Sequence, residues 1–328
     1  MNLLRSFAVA LVAALCGVLI PASESVAQVT ARVPVIGYLA QRAGPWHLDK
    51  AFVDGLRELG YVEGRNIAVE YRWGANAADL PALAVDLARL KVDVIVSSGY
   101  PANKAAKDAT STIPIVMATS GDAVQEGLVA SLSRPGGNMT GLSVLNRELT
   151  GKRLEVMKEA VPTLKKIGAL YNGANPAMPP QFREVQVAAQ RFGLEPVPLD
   201  VSFPAGIDAA FVAASQAGVG AIMVLSDSST IAHRSQLSTA AMKYRMPTMF
   251  SNRDYIRAGG LMSYGPNLAD NFRRAASIVD AILKGADPAL LPVEQPTKFE
   301  LVINRTTARA LRLDLPQALL VRVDEVFD

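Results

Sequence analysis

Lys91–Gln125 reads KVDVIVSSGYPANKAAKDATSTIPIVMATSGDAVQ, and the class of fold turns on it. It holds two short β-branched runs, Val92–Val96 and Ile113–Met117, each followed at once by small polar residues and then by a helix-like segment. A continuous apolar run bounded by turn residues marks a parallel strand buried on both faces. In an open α/β sheet, ligands sit beyond the carboxyl ends of such strands, where loop amides and helix N-termini converge. The turns Ser97-Ser98-Gly99-Tyr100-Pro101 and Thr119-Ser120-Gly121-Asp122 are therefore candidates for half of a binding cleft.

Moving outward, the same alternation continues in both directions. Upstream, strands are expected at Val33–Leu39 and Asn66–Tyr71. Helices follow from Leu48, where Leu48, Phe52, Leu56 and Leu59 recur at helical spacing until Gly60, and over Asp79–Leu90. Downstream, a helix is expected over Ala123–Leu132 and a fifth strand at Met139–Val144. A second run then begins. Helices are expected at Thr150–Ala160, Gln181–Phe192, Gly206–Gln216 and one segment through Lys243. They alternate with strands at Lys166–Tyr171, Leu194–Leu199, Ala221–Leu225, Pro247–Phe250 and Leu261–Tyr264. This pattern calls for parallel sheets covered by helices on both faces. Two such runs meeting near Gly141–Arg147 imply two doubly wound α/β lobes. Leu268–Leu283 reads as an amphipathic helix stopped at Lys284-Gly285. A link stiffened by Pro288, Pro292 and Pro296 then leads to a strand at Phe299–Ile303. The expected division is 33–143 plus about 267–290 for one lobe, and 144–266 plus about 297–328 for the other.

The chain has 328 residues, room for two lobes of about 150 each. Half of the residues are apolar and 19% are charged, enough for a large core and unlike a disordered chain. The net charge of +3 comes without a long basic run, so no nucleic-acid partner is implied. Met1–Arg5 is a short positive region, Phe7–Ile20 is apolar apart from Cys16 and Gly17, and Ser25-Val26-Ala27 places small residues before a cut at Gln28. These are the parts of a secretory signal over residues 1–27, with the apolar part short of the ~20 residues that span a bilayer. An uncleaved anchor is one alternative, and a lipid anchor on Cys16, which Leu15 before it disfavours, is another. Cleavage removes the single cysteine, and with it any disulfide or thiolate metal site.

The strand ends supply the candidate contacts. Gly99 permits close approach to the backbone, Pro101 suits a first helical position, and the amides of that turn can hold an anion. Asp122 can cap the following helix with Gln125, or join Ser120 in binding a ligand amine or hydroxyl. In the second lobe, Asn172 and Asn175 lie in the turn after Lys166–Tyr171, and Asp227 lies in Ser226-Asp227-Ser228 after Ala221–Leu225. Amides suit an amino-acid ligand, and a carboxylate suits an ammonium. Ser98, Tyr100, Asn252 and Tyr264 complete the set, together with Gln41 and Ser143. Local packing and capping compete with ligand contact at each position. No Walker, dinucleotide, zincin or nucleophile-elbow motif is present, and the two histidines, His47 and His233, read as surface groups. No catalytic residue, metal site or cofactor is expected.

Four longer segments carry a resemblance: LPVEQPTKFELVINRTTARAL (Leu291–Leu311), AFVDGLRELGYVEGRNIAVEYRW (Ala51–Trp73), SRPGGNMTGLS (Ser133–Ser143) and GGLMSYGP (Gly259–Pro266). They resemble the tryptophan/tyrosine-type substrate-binding proteins of ABC transporters, in order over essentially the whole cleaved chain. The resemblance implies a type I periplasmic binding fold, with two Rossmann-like lobes joined by three crossovers around a cleft. It also implies a small-molecule ligand such as an amino acid or an aromatic or branched carboxylate, a membrane permease as partner, a monomer, and a periplasmic location. Hinge closure would use Gly141–Ser143, Tyr264–Pro266 and Pro292–Pro296. Three positions depart from the family pattern: Tyr100 replaces a small polar residue, Ala123 replaces a proline after Asp122, and Gly173 replaces the first proline of a paired Asn-Pro turn. The same fold also serves sensing modules that report to a membrane receptor, an alternative that sequence leaves open beside a Rossmann-type enzyme.

Overall fold

A computed structural model describes residues 32–144 and 146–328, the side chains of residues 146–148 excepted. The signal expected over residues 1–27, its cut at residue 28 and the single cysteine lie outside the described residues.

In chain order the first elements are β1 (Val35–Gln41), α1 (His47–Glu58), β2 (Ala68–Gly74), α2 (Leu80–Arg89), β3 (Val94–Ser98), α3 (Tyr100–Ala109), β4 (Ile115–Thr119) and β5 (Met139–Gly141). Then come α4 (Asn146–Ala160), β6 (Lys166–Tyr171), α5 (Met178–Arg191), β7 (Glu195–Asp200), α6 (Ile207–Gln216) and β8 (Ala221–Val224). These are followed by α7 (Ser228–Ala232), α8 (Arg234–Lys243), β9 (Thr248–Phe250), α9 (Arg253–Arg257) and β10 (Met262–Pro266). The chain ends with α10 (Leu268–Leu283), β11 (Phe299–Asn304), α11 (Arg305–Ala310), α12 (Gln317–Leu320) and β12 (Glu325–Phe327).

The strands form two sheets. One is all parallel in the order β2-β1-β3-β4-β5, and the other runs β12-β11-β10-β9-β8-β6-β7. The period-2 pleat explains why the buried runs lack polar alternation. In β3, Val94 and Val96 face the layer of α1 and α10, while Ile95 faces the layer of α2 and α3. In the second sheet, Met223 of β8 joins the core under α4 and α5, and Ile222 and Val224 join the core under α6 and α8. Each such side chain, fully removed from water, contributes roughly 1.5–3 kcal/mol. The result is two doubly wound α/β lobes.

The chain crosses between the sheets after β5, after β10 and again before β11. Helix α10 returns to the first lobe, where it packs along α1 and places Phe272, Ala275, Ala276 and Val279 in that core. The first and third crossings are bonded to each other: Ser143 N donates to the Glu294 carbonyl at 2.9 Å and Glu294 N to the Gly141 carbonyl at 2.8 Å.

Three expectations need correction. Not every strand is parallel, because β11 runs antiparallel to β10. Strand β10 leaves its sheet toward the other lobe at Pro266, which pairs with Phe299, so a chain re-entering there must run back. The helix expected over Ala123–Leu132 is a set of turns. The Ala123 carbonyl accepts from Leu128 and Val129 rather than from residue 127, and the Ala123 amide is drawn aside to Ser143 Oγ at 3.1 Å. The segment through Lys243 is two helices, parted at His233, whose φ of −104° and ψ of 21° leave the helical region. No described helix is long and apolar enough to cross a membrane.

Candidate ligand-binding cleft

The first lobe's wall is built from the two turns after β3 and β4. Ser97 Oγ donates to Asn103 Oδ1 at 2.8 Å, and Asn103 Nδ2 donates to the Thr119 carbonyl at 3.1 Å. Gly99 N also donates to the Thr119 carbonyl, at 3.0 Å, so the two turns are held as one surface. Gly99 has φ +81°, a left-handed conformation that favours glycine, and no side chain caps the first amides of α3 behind it. A Cβ on Gly99 would lie 2.5 Å from Ser228 Oγ of the other lobe, so the lobes meet at this glycine.

The second lobe's wall centres on Asp227. It is buried and caps α7, accepting from Ser229 N at 2.7 Å on Oδ1 and from Asn175 Nδ2 at 2.5 Å on Oδ2. Asn172 Nδ2 approaches Oδ1 at 3.4 Å. The ends of β6 and β8 are thereby joined around one carboxylate. Asn252 caps α9, accepting from Asp254 N at 3.1 Å. Behind this wall, the Ser251 carbonyl packs on Gly265 where no side chain fits.

Between the walls lies a cleft of about 790 Å³, with the solvent at its mouth included, within the usual size of small-molecule sites. Of the residues singled out from sequence, Ser98, Gly99, Tyr100, Ser120, Asn175, Asp227 and Asn252 line it. Gln41, Pro101 and Asn172 instead line a flanking recess, and Asp122 lines another, where its Oδ1 accepts from the Gln125 amide at 3.0 Å. Tyr100 borders the cleft and both recesses. Two residues lie elsewhere. Ser143 is fully buried, its hydroxyl donating to the Gly121 carbonyl at 2.7 Å, and Tyr264 stacks on Phe299 with ring centroids 6.3 Å apart.

Sequence reasoning missed an apolar part of the lining, contributed by Trp46, Leu48, Met178, Ile231 and Phe272. Trp46 is placed by Asp49, whose Oδ2 accepts from the Trp46 amide at 2.8 Å while Oδ1 takes the Tyr38 hydroxyl and Arg42. At this rim the lobes touch a second time. Arg234 lies 5.3 Å from the Trp46 ring centre, and His47 Nε2 is 3.1 Å from Asp254 Oδ1. Burial, with Arg257 and Arg234 nearby, holds the His47 pKa below its ordinary value against the opposing pull of Asp254.

Two charged lining residues were also missed. Burial pushes the Arg153 guanidinium down to about 10 and the Glu126 carboxyl up to about 8, with the nearby Asp122 adding to the latter. In sequence, each reads as a solvated charge on a helix. The described residues hold no group of three or more potential metal ligands.

The sequence profile of the ABC transporter substrate binding protein family matches residues 44–327. The chain belongs to that family. A tyrosine-binding protein of Clostridioides difficile (strain R20291) is 28% identical to this substrate-binding protein over 270 residues, covering 80% of this chain and 77% of its relative. A crystal structure of a conserved domain protein from Vibrio cholerae superposes with TM-score 0.85 at 28% identity, covering 90% of this chain and all of the other. The structure of an ABC domain in complex with L-Trp from Streptococcus pneumonia gives TM-score 0.83 at 26% identity, covering 90% of this chain and 99% of the other. The family is one of solute-binding proteins and not of enzymes.

Proposed function

We propose that this substrate-binding protein takes up an amino acid with an aromatic side chain in the cleft between its lobes, closes on it, and delivers it to the permease of an ABC importer. The observation that carries the reading is the cleft itself. Its walls come from both lobes and combine the buried polar groups Ser120, Asn175, Asp227 and Asn252 with an apolar surface that includes Trp46, Leu48 and Phe272. A ring needs the apolar surface, and an amino-acid head group needs the polar one. The tyrosine-binding and L-Trp-bound relatives support the same class. Closure follows if ligand binds one lobe first and the other adds contacts only when the lobes meet, as Gly99 and Ser228 do. The bending points in this account are Gly141–Ser143, Tyr264–Pro266 and Pro292–Pro296. The lobes divide at these crossings, into 33–143 plus about 267–290 and 144–266 plus about 297–328. The protein acts as a monomer in the periplasm, exported by the signal over residues 1–27.

The test is thermal unfolding of the purified protein, stripped of ligand, against all the common amino acids and a set of sugars and polyols. L-Tryptophan or L-tyrosine at a hundredfold excess over its dissociation constant adds ~2.7 kcal/mol and raises the midpoint. A response to sugars with none to amino acids would overturn the ligand class. Loss of uptake of the same amino acid on deletion of the gene tests the importer role.

A further inference from the structure

Two ionisable side chains line one cleft, and each carries a buried polar atom with no hydrogen-bond partner among the described residues. Arg153, on α4 at the first crossing, is 4% exposed. Its Nε donates to the Tyr264 carbonyl at 2.8 Å, while Nη2 is buried, beside Gly265, without a hydrogen-bond partner among the described residues. Glu126 lies in the turns that follow β4, in the other lobe, and its Oε2 is likewise buried without a partner. Both residues line the cleft. The remaining charged lining group, Asp227, is already engaged on both oxygens.

An isolated buried ion costs several kcal/mol, and arginine cannot escape by losing its proton at neutral pH. Such a group is tolerated where something else completes it. A guanidinium fork fits a carboxylate, and a carboxylate fits an ammonium. We propose that Arg153 and Glu126 form the charge-recognition pair of the site, Arg153 taking the carboxylate and Glu126 the ammonium of a zwitterionic α-amino acid. Because the two stand on different lobes, the zwitterion bridges them and helps to hold the lobes together. The inference rests on the amino-acid reading of the cleft and goes further by assigning its two ends.

A proton accompanies the binding step. Burial, with Asp122 adding to it and the Gly121 amide opposing, pushes the Glu126 carboxyl up to about 8, so it holds a proton at neutral pH; Tyr100 and Glu184 line the adjoining recess with it. An ammonium at Oε2 favours the carboxylate, and the proton leaves to solvent. Complex formation then releases a proton, and affinity rises with pH up to about 8.

Calorimetric titration of the ligand-stripped protein tests this, with L-tryptophan, indole-3-propionate (no ammonium) and tryptamine (no carboxylate) as probes. The runs are made at neutral pH in buffers of different ionisation heat. L-Tryptophan is expected to bind with proton release, and each truncated probe to bind at least about 30-fold more weakly. Arg153→Met is expected to lose L-tryptophan binding while its melting temperature in the absence of ligand stays level or rises, since an uncompensated charge has been removed. A merely structural arginine would lower that temperature. Glu126→Gln is expected to bind L-tryptophan more weakly and without proton release. Truncated probes as tight as L-tryptophan, or unchanged affinity in Arg153→Met, overturn the pair and leave the amino-acid reading standing. Absence of binding by every amino acid overturns that reading and the pair with it.

Discussion

Gly99 is the residue on which the first lobe's wall depends most sharply. Its φ of +81° and the Ser228 hydroxyl facing it act separately, one on folding and one on closure. Gly99→Ala is expected to lower the free energy of unfolding by about 1–3 kcal/mol, because φ +81° with ψ 153° is a conformation that only glycine enters without strain. It should also weaken ligand binding by about tenfold or more, because the added methyl keeps Ser228 away. Chemical denaturation and calorimetry on the same preparation separate the two. Unchanged affinity would mean that Gly99 and Ser228 do not approach in the liganded protein. Gly99, Ser120 and Asp227 were legible in the sequence because small and acidic residues after a buried run mark a strand end. Arg153 and Glu126 were not. A charge on a helix or turn ordinarily points to water, and only the packing of α4 under Tyr264 and Gly265 buries this arginine. Ser143 misled for the opposite reason: a polar residue at a strand end faced inward, with its hydroxyl taken by the neighbouring turn.

Among the elements, two were readable residue for residue, while α4 and α5 begin four and three residues before the starts expected for them. Both β6 (Lys166–Tyr171) and α10 (Leu268–Leu283) begin and end where their apolar patterns do. Short elements were not. Neither α9 nor α12 spans two helical turns, and β12 has three residues, too few for any period to show. Yet α9 carries Asp254, half of the rim contact with α1. The His47 pKa is lowered where the lobes meet, chiefly by burial and further by Arg257 and Arg234, with Asp254 and Asp49 pulling the other way. If the lobes part as proposed, a base whose pKa is depressed where they meet binds more protons once they are apart. Closure is therefore favoured above the ordinary histidine pKa and loses support as pH falls through about 6.5. Ligand affinity should decline over that range, and His47→Gln should flatten the decline. A slope unchanged in the variant would remove His47 from the closing device. Glu126, which releases its proton on binding, adds a dependence of the same sign that persists to about pH 8, so the variant and not the slope alone decides.

At the scale of the molecule, two sheets are joined by three crossings, with a cleft between them. The two-lobe alternation was visible in the order of strands and helices. The antiparallel return of β11 was not, because it follows from where the crossing re-enters and not from any residue in the strand. The central claim is that an amino acid binds between the lobes, against Trp46. The chain has two tryptophans, Trp46 on the cleft wall and Trp73, which stacks on Tyr71 in the first lobe with ring centroids 5.2 Å apart. Replacing Trp73 by Phe leaves Trp46 as the reporter. The measurement is Trp46 emission, excited at the red edge of tryptophan absorption, as L-tyrosine is titrated into the ligand-stripped Trp73→Phe protein beside a calorimetric titration. A saturable change in emission with the same midpoint as the heat is the predicted result. Heat of binding with no change at Trp46, or no binding of L-tyrosine or L-tryptophan at all, would contradict it.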